Sequence, residues 1–411
     1  MTARVTAATA LAAAAVVGSP AMARPSAQPP AVVVAVIGDT GLNPLHREFA
    51  ATGTAAQRPP TMPPARVVAL PPPGNFTERL DAARMGPLGA LEPGQLYTIA
   101  RTKLDVVVPG DAAVAGPYDL LADRVHGTGV VGALAGNTTG TNPQVRVVFV
   151  AGNAKAAWDW AADQPWIDVI MTSNISVADG SAPQTATCGP GDAVRRMVVA
   201  GRPVFASAGN AEQLGAVSAP NALPDVYRVG GVDAAGTPWQ GVHPDQQDPN
   251  LALGQVTRPY DTADLYAFPT AAADSDTAMM TFGGTSGATP RTVGRAARLI
   301  ATARAALRQA GPAAPAALAS GSRRPAMGPL ADGSLTRPEL LSLLRSSAQP
   351  SLPDVPGRYA YEGYGAQNAA TERQAARLLL GTAPAPDRTN DDTAHAAAVA
   401  ARSAAFPPGR C

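Results

Sequence analysis

The stretch AVVVAVIGD, residues 31–39, decides the fold of this chain. Its apolar residues run without interruption and are mostly β-branched, and a Gly-Asp pair ends the run. Such a stretch is typical of a strand that is buried on both faces of a parallel sheet. Functional residues in parallel sheets follow the carboxyl ends of the strands, so Asp39 is the first candidate site residue.

Strand and helix patterns alternate along the rest of the chain. Apolar runs predict strands within residues 145–152, 166–176 and 225–233. Residues 193–210 predict a helix, a turn at Gly201 and another strand, and small residues predict a tightly packed helix over residues 126–137. This alternation favours the α/β class, and we predict a three-layer sandwich with a mainly parallel central sheet.

Residues 50–115 interrupt this order. The sequences RPPTMPP and LPPPGN are too rich in proline for long regular elements, so only short strands and one helical turn are expected around them. We interpret the segment as a long insertion on the surface of one domain that spans residues 31–380. The tail, residues 381–411, is rich in Ala and Pro and is expected to be loosely held.

The amino terminus has the pattern of an export signal. Residues 5–18 form a short apolar run after Arg4, and residues 21–23 have the small-x-small sequence AMA. We predict a signal peptide over residues 1–23, followed by a short Pro-rich lead over residues 24–30. The protein is therefore expected to be secreted or periplasmic, with no later apolar stretch long enough to hold it in a membrane.

The composition is that of a chain that can bury a large core. Of its 411 residues, 46% are hydrophobic and 15% are charged, and the net charge is +1. No block of basic residues is present, which argues against nucleic acid as a partner, and we expect a monomer.

The two cysteines, Cys188 and Cys411, leave two alternatives open: an intramolecular disulfide, or a Cys411 that is free or pairs with another molecule.

The candidate catalytic base is one of four histidines. His126 opens the small-residue helix, whereas His46, His243 and His395 have no such context. A histidine at the start of that helix projects past the end of the sheet, where Asp39 also ends a strand. A carboxylate that accepts a hydrogen bond from an imidazole N–H fixes the tautomer and steadies the imidazolium formed during proton transfer.

Two further polar residues complete the candidate site. Ser286 lies in GGTSGATP, residues 283–290, where glycines leave the backbone bare just before a helical pattern. Its hydroxyl becomes a nucleophile once a base takes its proton, and its N–H at the helix start is an available donor. Asn210 ends the sequence ASAGN beside Gly209, and its amide is a candidate donor to a developing oxyanion.

Each of these residues alone has a simpler interpretation. A strand-end Asp or an Asn after Gly usually forms a turn, a His at a helix start is usually structural, and a Ser before a helix is usually its cap. Their occurrence together, each at a strand end or a helix start, favours a hydrolytic site.

The four sequences resemble the motifs of the subtilisin-like serine proteases, the subtilases. VIGDTG resembles their aspartate motif, HGTGVVG their histidine motif, ASAGN the segment with the oxyanion asparagine, and GGTSGATP their serine motif. The order Asp39, His126, Ser286 is also that of the family. The resemblance covers residues 31–370, and it implies a subtilisin-like peptidase domain that hydrolyses peptide bonds through an acyl-enzyme.

By this resemblance, His126 takes the proton of Ser286, and Asp39 orients His126. Asn210 and the Ser286 N–H would hold the oxyanion. The resemblance also implies that substrate backbone pairs with two short segments, which are Ser176, Val177 and Ala178 on one side and Ser207, Ala208 and Gly209 on the other. These residues are small and uncharged, so we expect a medium-sized apolar side chain before the cleaved bond.

The sequence departs from the family pattern in three places. Gly129 replaces the usual second histidine, and Gly287 replaces the methionine that often follows the serine. Subtilases usually carry a self-inhibiting prodomain, whereas only the short lead is expected between the signal peptide and the catalytic domain. Either folding needs no such helper, or another chain supplies it, or the C-terminal region restrains activity.

No cofactor is required for this chemistry. Calcium is common in the family, and four aspartates offer oxygen ligands, namely Asp261, Asp264, Asp274 and Asp276. Their spacing matches no known ligand loop, so we interpret them as solvated loop carboxylates and leave a structural calcium open.

Other functions stay open as well. A binding protein that keeps the fold without cutting, or a protease that needs a partner, would account for the missing prodomain and the long insertion. All four catalytic residues are nevertheless present. An esterase of another α/β fold is disfavoured, because Ala288 replaces the last glycine of the Gly-x-Ser-x-Gly motif and the order of the catalytic residues differs.

Overall fold

The computed structural model describes most of the predicted domain. The residues described are 31–110, 117–152, 155–174, 190–209, 220–221, 223–232, 262–265, 268–310, 330, 333–350 and 363–405. The predicted signal peptide, the lead over residues 24–30, Cys188 and Cys411 lie outside them, so the expectations for these residues remain predictions.

A mainly parallel sheet lies at the centre of the described residues. Its strands are β1 (Val33–Asp39), β2 (Arg66–Val68), β3 (Leu96–Ile99), β4 (Leu104–Val107), β5 (Arg146–Ala151), β6 (Val169–Thr172), β7 (Val204–Ser207), β8 (Tyr227–Val232) and β9 (Thr262–Leu265). Their spatial order is β2-β3-β4-β5-β1-β6-β7-β8-β9, and among them only β3 and β4 pair in antiparallel orientation. Two further strands, β10 (Phe268–Ala271) and β11 (Met279–Phe282), form a separate antiparallel pair.

Helices cover both faces of the central sheet. They are α1 (Phe76–Met85), α2 (Val125–Ala135), α3 (Lys155–Ala162), α4 (Gly191–Val199), α5 (Gly284–Ala310), α6 (Arg337–Ser347), α7 (Ala369–Leu379) and α8 (Thr389–Ala405). Helices α2, α5, α6 and α7 share one apolar core, and α3 and α4 pack into a second core on the other face. The predicted three-layer sandwich is confirmed. Within the described residues, none of the helices has the length and apolar character needed to cross a membrane.

Strand β1 lies between β5 and β6 and is buried on both faces. Val34 and Val36 point into the core that contains α2, whereas Ala35 and Ile37 point into the core that contains α3 and α4. All four side chains are fully buried. This position explains why the sequence shows an uninterrupted apolar run rather than an alternation of apolar and polar residues.

Residues 50–110 differ from the surface insertion that the sequence predicts. They supply β2, β3 and β4, which extend the central sheet beyond β5. Tyr97 and Leu104 are fully buried in the core that contains α2. The proline-rich stretches lie between the short elements rather than within them, so the segment keeps its strands and belongs to the folded core.

The tail also differs from the expectation that it is loosely held. Helix α8 packs against the preceding segment, where the hydroxyl of Tyr364 donates to the carboxylate of Asp392 at 2.6 Å. Ala394 and Ala398 of α8 contact the small apolar cluster formed by Ala348 and Tyr364. An alanine-rich sequence has a high helix propensity, and here a buried face holds the helix in place.

We expect Leu104→Ala to lower the free energy of unfolding by about 2–5 kcal/mol, because it leaves a cavity at a fully buried position of β4. Met85→Ala is the matched control in the same segment, since Met85 is 84% exposed. It should change the free energy of unfolding by less than about 0.5 kcal/mol. Urea unfolding measures the free energy of unfolding of both variants and of the wild type. Equally small effects would mean that residues 50–110 do not contribute to the core.

Candidate active site

Strand β1 ends in a bulge that turns Asp39 toward the edge of the sheet. Gly38 has a φ of 81°, and the pairing of β1 with β5 shifts register between Ile37 and Asp39. Asp39 is 3% exposed. Its Oδ1 accepts hydrogen bonds from the N–H of Thr40 at 3.0 Å and from Nδ1 of His126 at 2.8 Å. The structure thus brings two of the predicted site residues into contact.

The contact with Asp39 fixes the state of His126, the second residue of α2. A carboxylate accepts hydrogen bonds, so Nδ1 carries the proton and Nε2 is left as the acceptor. Burial acts to lower the pKa of His126, but the hydrogen bond and the charge of Asp39, with the charge of Asp123, outweigh burial and raise the pKa. The imidazole is therefore a stronger base than a free one.

Two glycines allow α2 to approach the end of β1. A Cβ on Gly127 would lie 2.1 Å from the carbonyl oxygen of Gly41 and 3.2 Å from Oδ1 of Asp39. A Cβ on Gly41 would lie 2.0 Å from the carbonyl oxygen of Ala122. A larger residue at position 127 would push the helix away from the strand and lengthen the contact between Asp39 and His126. A larger residue at position 41 would push away the segment that leads into the helix.

A second set of hydrogen bonds fixes the loops beside Asp39. The hydroxyl of Thr40 donates to the carbonyl oxygen of Asp123 at 2.5 Å, and the hydroxyl of Tyr118 donates to the carbonyl oxygen of Thr40. Burial, with the charges of nearby aspartates, raises the pKa of Tyr118, so its hydroxyl stays protonated as the donor. Because the acceptors are backbone carbonyls, these contacts leave no signature in the sequence.

Ser286 lies in the first turn of α5, at the same edge of the sheet. The helix begins at Gly284, so the N–H of Ser286 has no carbonyl partner within the helix. Its Oγ donates to the carbonyl oxygen of Ser173 at 3.1 Å, and Ser173 directly follows β6, the neighbour of β1. Among the described residues, no hydrogen bond joins Ser286 to His126. Catalytic hydrogen bonds are often long in enzymes without substrate.

The ends of β6 and β7 are tied together beside this serine. The hydroxyl of Ser207, the last residue of β7, donates to the carbonyl oxygen of Ser173 at 3.1 Å. The buried amide of Asn221 donates to the carbonyl oxygens of Ser207 at 2.9 Å and Asn174 at 3.1 Å. Asn221 therefore fixes the spacing of the two strand ends, although a single Asn in a loop gave no sign of this role.

Part of the predicted substrate site follows β7. Ser207 and Ala208 are buried, and Gly209 has a φ of 103°, which turns the chain at the sheet edge. The other predicted residues lie outside the described part of the chain, namely Asn210, Ser176, Val177 and Ala178, and His243 lies outside it too. Their roles remain predictions.

Lys103 holds the far end of α2. Its buried Nζ donates to three oxygens, those of Ala135 (2.9 Å, backbone), Asn137 (2.5 Å, side chain) and Pro143 (2.8 Å, backbone). Burial lowers the pKa of Lys103 to about 8, although the charge of Glu48 acts to raise it. An ammonium group at a helix carboxyl end complements the helix dipole, so Lys103 steadies the helix that carries the imidazole at its other end.

Two of the four aspartates considered as calcium ligands have cationic partners. Asp274 pairs with Arg124 at 2.5 Å, and Asp276 pairs with Arg79 at 2.8 Å. Asp261 and the side chain of Asp264 lie outside the described residues. Within the residues that are described, no group of three His, Cys, Asp or Glu side chains could hold a metal ion.

His46 lies beneath the loop that leads into β11. Its Nδ1 accepts from the N–H of Glu48 at 3.2 Å, so Nε2 carries the proton and donates to the carbonyl oxygen of Ala278 at 2.7 Å. Burial lowers the pKa of His46, although the hydrogen bond to Ala278 acts to raise it. The fold therefore holds this histidine in its neutral form.

Comparison with known proteins identifies the family of this chain. The model of the subtilase family matches residues 30–314. This chain belongs to the subtilase family. Asp39, His126, Asn210 and Ser286 all fall within the matched residues of this subtilase-family protease domain. A search of curated protein sequences finds no significant match.

Solved structures similar to this subtilase include, at low identity, two proteases and a macrocyclase domain. The prenylagaramide maturation protease PagA is 18% identical, with 87% of this chain and 96% of that chain covered and a TM-score of 0.47. The PatG macrocyclase domain is 16% identical, with 86% and 92% covered and a TM-score of 0.49. A cold adapted subtilisin-like serine proteinase is 18% identical, with 80% and 86% covered and a TM-score of 0.41.

We expect the contribution of His46 to the stability of this subtilase to fall as the pH drops below about 6.5, and His46→Gln to remove this contribution. Above that pH, His46 is neutral in both the folded and the unfolded chain. Below it, the unfolded chain binds a proton that the folded chain binds less tightly, so the free energy of unfolding falls. Urea unfolding at about pH 7.5 and 5.5 measures the difference between the two proteins. Identical pH dependence would show that His46 is not held neutral.

Proposed function

We propose that this subtilase is an exported serine endopeptidase whose substrate is a polypeptide. The observation that carries this conclusion is the hydrogen bond of 2.8 Å between Asp39 and His126, at the sheet edge where α5 begins with Ser286 in its first turn. The bond leaves Nε2 of His126 as a proton acceptor. This arrangement converts a serine hydroxyl into a nucleophile.

The reaction proceeds through an acyl-enzyme. Nε2 of His126 takes the proton of Ser286 Oγ as that oxygen attacks the peptide carbonyl carbon and forms a tetrahedral intermediate. The same proton then passes to the leaving amine, the C–N bond breaks, and the acyl group stays on Ser286. A water molecule that gives a proton to His126 attacks the carbonyl carbon of the ester. His126 then returns that proton to Ser286 Oγ as the bond between Oγ and the acyl carbon breaks, and the acid is released. Asp39 remains ionised throughout and stabilises the imidazolium.

Two donors hold the negative oxygen of the tetrahedral intermediate in this proposal. The first is the N–H of Ser286, which has no partner within α5 because it lies in the first helical turn. The second is the amide of Asn210, which follows Gly209 at the end of β7. One such donor typically lowers the barrier by about 3–4 kcal/mol.

Export is supported by residues 1–23, with their short apolar run and small-x-small end. A preference for apolar side chains before the cleaved bond is supported by Ser207 and Ala208, which are small, uncharged and buried at the sheet edge.

One observation favours a second candidate, a protease that becomes active only with a partner or substrate. The hydroxyl of Ser286 donates to the carbonyl oxygen of Ser173. A hydroxyl has a single proton to donate, so this bond has to break before His126 can take the proton.

A fluorophosphonate probe should label the folded wild-type protein, and Ser286→Ala should not be labelled. His126→Ala and Asp39→Asn should react at least about 10³-fold more slowly, because the hydroxyl loses its base or the base loses its orientation. Ser403→Ala, on α8, is the control and should react like wild type. The measurement is the second-order rate of labelling.

Two other outcomes of the labelling experiment are informative. Labelling of wild type only after a peptide substrate or partner is added would favour the conditionally active protease. No labelling under any condition, from protein shown to be folded, would contradict the proposed function.

The labelling rate should fall on the acid side with a midpoint above pH 6.5, because only neutral His126 accepts a proton and its pKa is raised above that value. Asp123→Asn should move the midpoint to lower pH, since the charge of Asp123 helps to raise the pKa. Rates between about pH 5 and 9 give both midpoints. A wild-type midpoint at or below 6.5 would mean that Asp39 does not outweigh the burial of His126.

A further inference from the structure

The ring of His126 has an aromatic neighbour that the mechanism above does not use. Phe282, the last residue of β11, lies with its ring centroid 5.5 Å from that of His126, at an interplanar angle of 69°. Phe282 is half-buried and precedes the Gly283-Gly284 pair that leads to Ser286. The segment that leads to Ser286 thus places an aromatic ring against the ring of His126.

The sequence of α2 leaves room for this ring. A Cβ on Gly129 would lie 2.6 Å from Cδ2 and 2.7 Å from Cε2 of Phe282, closer than such atoms approach each other. Glycine is unfavourable within a helix, so its presence one turn from His126 calls for a packing reason. Phe282 is that reason, and Gly129 and Phe282 act as a matched pair.

Helix α2 is held at the position of Gly129. The carbonyl oxygen of Gly129 accepts a hydrogen bond from the hydroxyl of Thr270 on β10 at 3.1 Å, and β10 pairs with β11, where Phe268 lies opposite Phe282. Strand β10 therefore connects the backbone of α2 to the strand that carries Phe282. A methyl group at position 129 would displace the ring rather than the helix.

We propose that Phe282 is a positioning residue, whose ring holds the imidazole of His126 in the orientation in which Nε2 can accept the proton of Ser286. The hydrogen bond to Asp39 fixes Nδ1, but it leaves the ring able to swing about that contact. Phe282 blocks this motion from the side of the serine segment, and Gly129 gives it the space to do so. This inference rests on the proposed role of His126 as the base.

The rate of proton transfer depends on this orientation. A general base has to lie within hydrogen-bond reach of the proton it takes, and a displacement of about 1 Å can slow a reaction roughly 10²-fold. Loss of the Phe282 ring should therefore lower the rate constant for attack by Ser286 about tenfold to a hundredfold, with little change in substrate affinity.

The first test does not depend on activity. The proton on Nδ1 of His126, in its hydrogen bond to Asp39, gives a downfield NMR signal that His126→Gln identifies by its absence. Phe282→Ala should broaden or abolish this signal, because the freed ring breaks the bond often enough for the proton to exchange with water. Phe282→Tyr keeps the aromatic ring and should keep the signal.

The second test is a double-mutant cycle on the labelling rate and on the kcat and KM for a cleaved peptide. Gly129→Ala should lower kcat about tenfold or more in the wild-type background and less than about twofold in the Phe282→Ala background, because no ring is then left to displace. Leu134→Ala is the control on the same helix. Leu134 is fully buried about two turns from His126, so any loss that Leu134→Ala causes should be equal in both backgrounds.

An unchanged Nδ1 signal in Phe282→Ala would overturn the inference, and so would an equal cost of Gly129→Ala in both backgrounds. If Gly129→Ala does not fold, the comparison of Phe282→Ala with Phe282→Tyr decides. If wild type is not labelled at all, the proposed function fails, and the NMR signal alone still shows whether Phe282 orients His126.

Discussion

Helix α2 passes so close to the end of strand β1 that no side chain fits between them. A Cβ on Gly127 would lie 2.1 Å from the carbonyl oxygen of Gly41, and this approach brings Nδ1 of His126 to 2.8 Å from Asp39. Each glycine in a helix costs about 1 kcal/mol relative to alanine, and α2 contains three among its 11 residues. Helix stability is thus given up so that the two backbones can meet. The hydrogen bond between the buried carboxylate of Asp39 and the imidazole of His126 depends on these glycines.

Interactions elsewhere on α2 offset this cost. Val130, Val131 and Leu134 are fully buried in the core shared with α5, and Lys103 donates to the carbonyl oxygen of Ala135, the last residue of the helix. The amino end is thereby free to serve the site, where the helix meets Asp39 rather than a capping side chain of its own. A helix that is anchored by its middle and its far end can present a histidine at its near end without fraying.

The sequence was informative wherever burial dictated composition. Strand β1 is buried on both faces, so its apolar run predicted both a parallel sheet and the position of Asp39 at the end of a strand. Composition did not predict the position of residues 50–110, because prolines beside a short strand look like prolines within a loop. Only the pairing of β4 with β5 shows that this segment belongs to the sheet. Contacts made through backbone carbonyls were not predictable either. Ser173 and Asn221 hold the strand ends beside Ser286 because of their positions in the fold, and their residue types do not indicate this role.

In the proposed mechanism, substrate binding has to make only a small change at Ser286. Its hydroxyl donates to the carbonyl oxygen of Ser173, which also accepts from Ser207 and so keeps one partner when Ser286 turns away. In that mechanism, Ser286 exchanges one hydrogen bond for another, a difference on the order of 1 kcal/mol. Enzymes lower reaction barriers by about 8 kcal/mol or more, so the exchange is minor on that scale. In the proposed mechanism, the chain therefore keeps this hydroxyl hydrogen-bonded until a peptide binds, and the exchange adds little to the barrier.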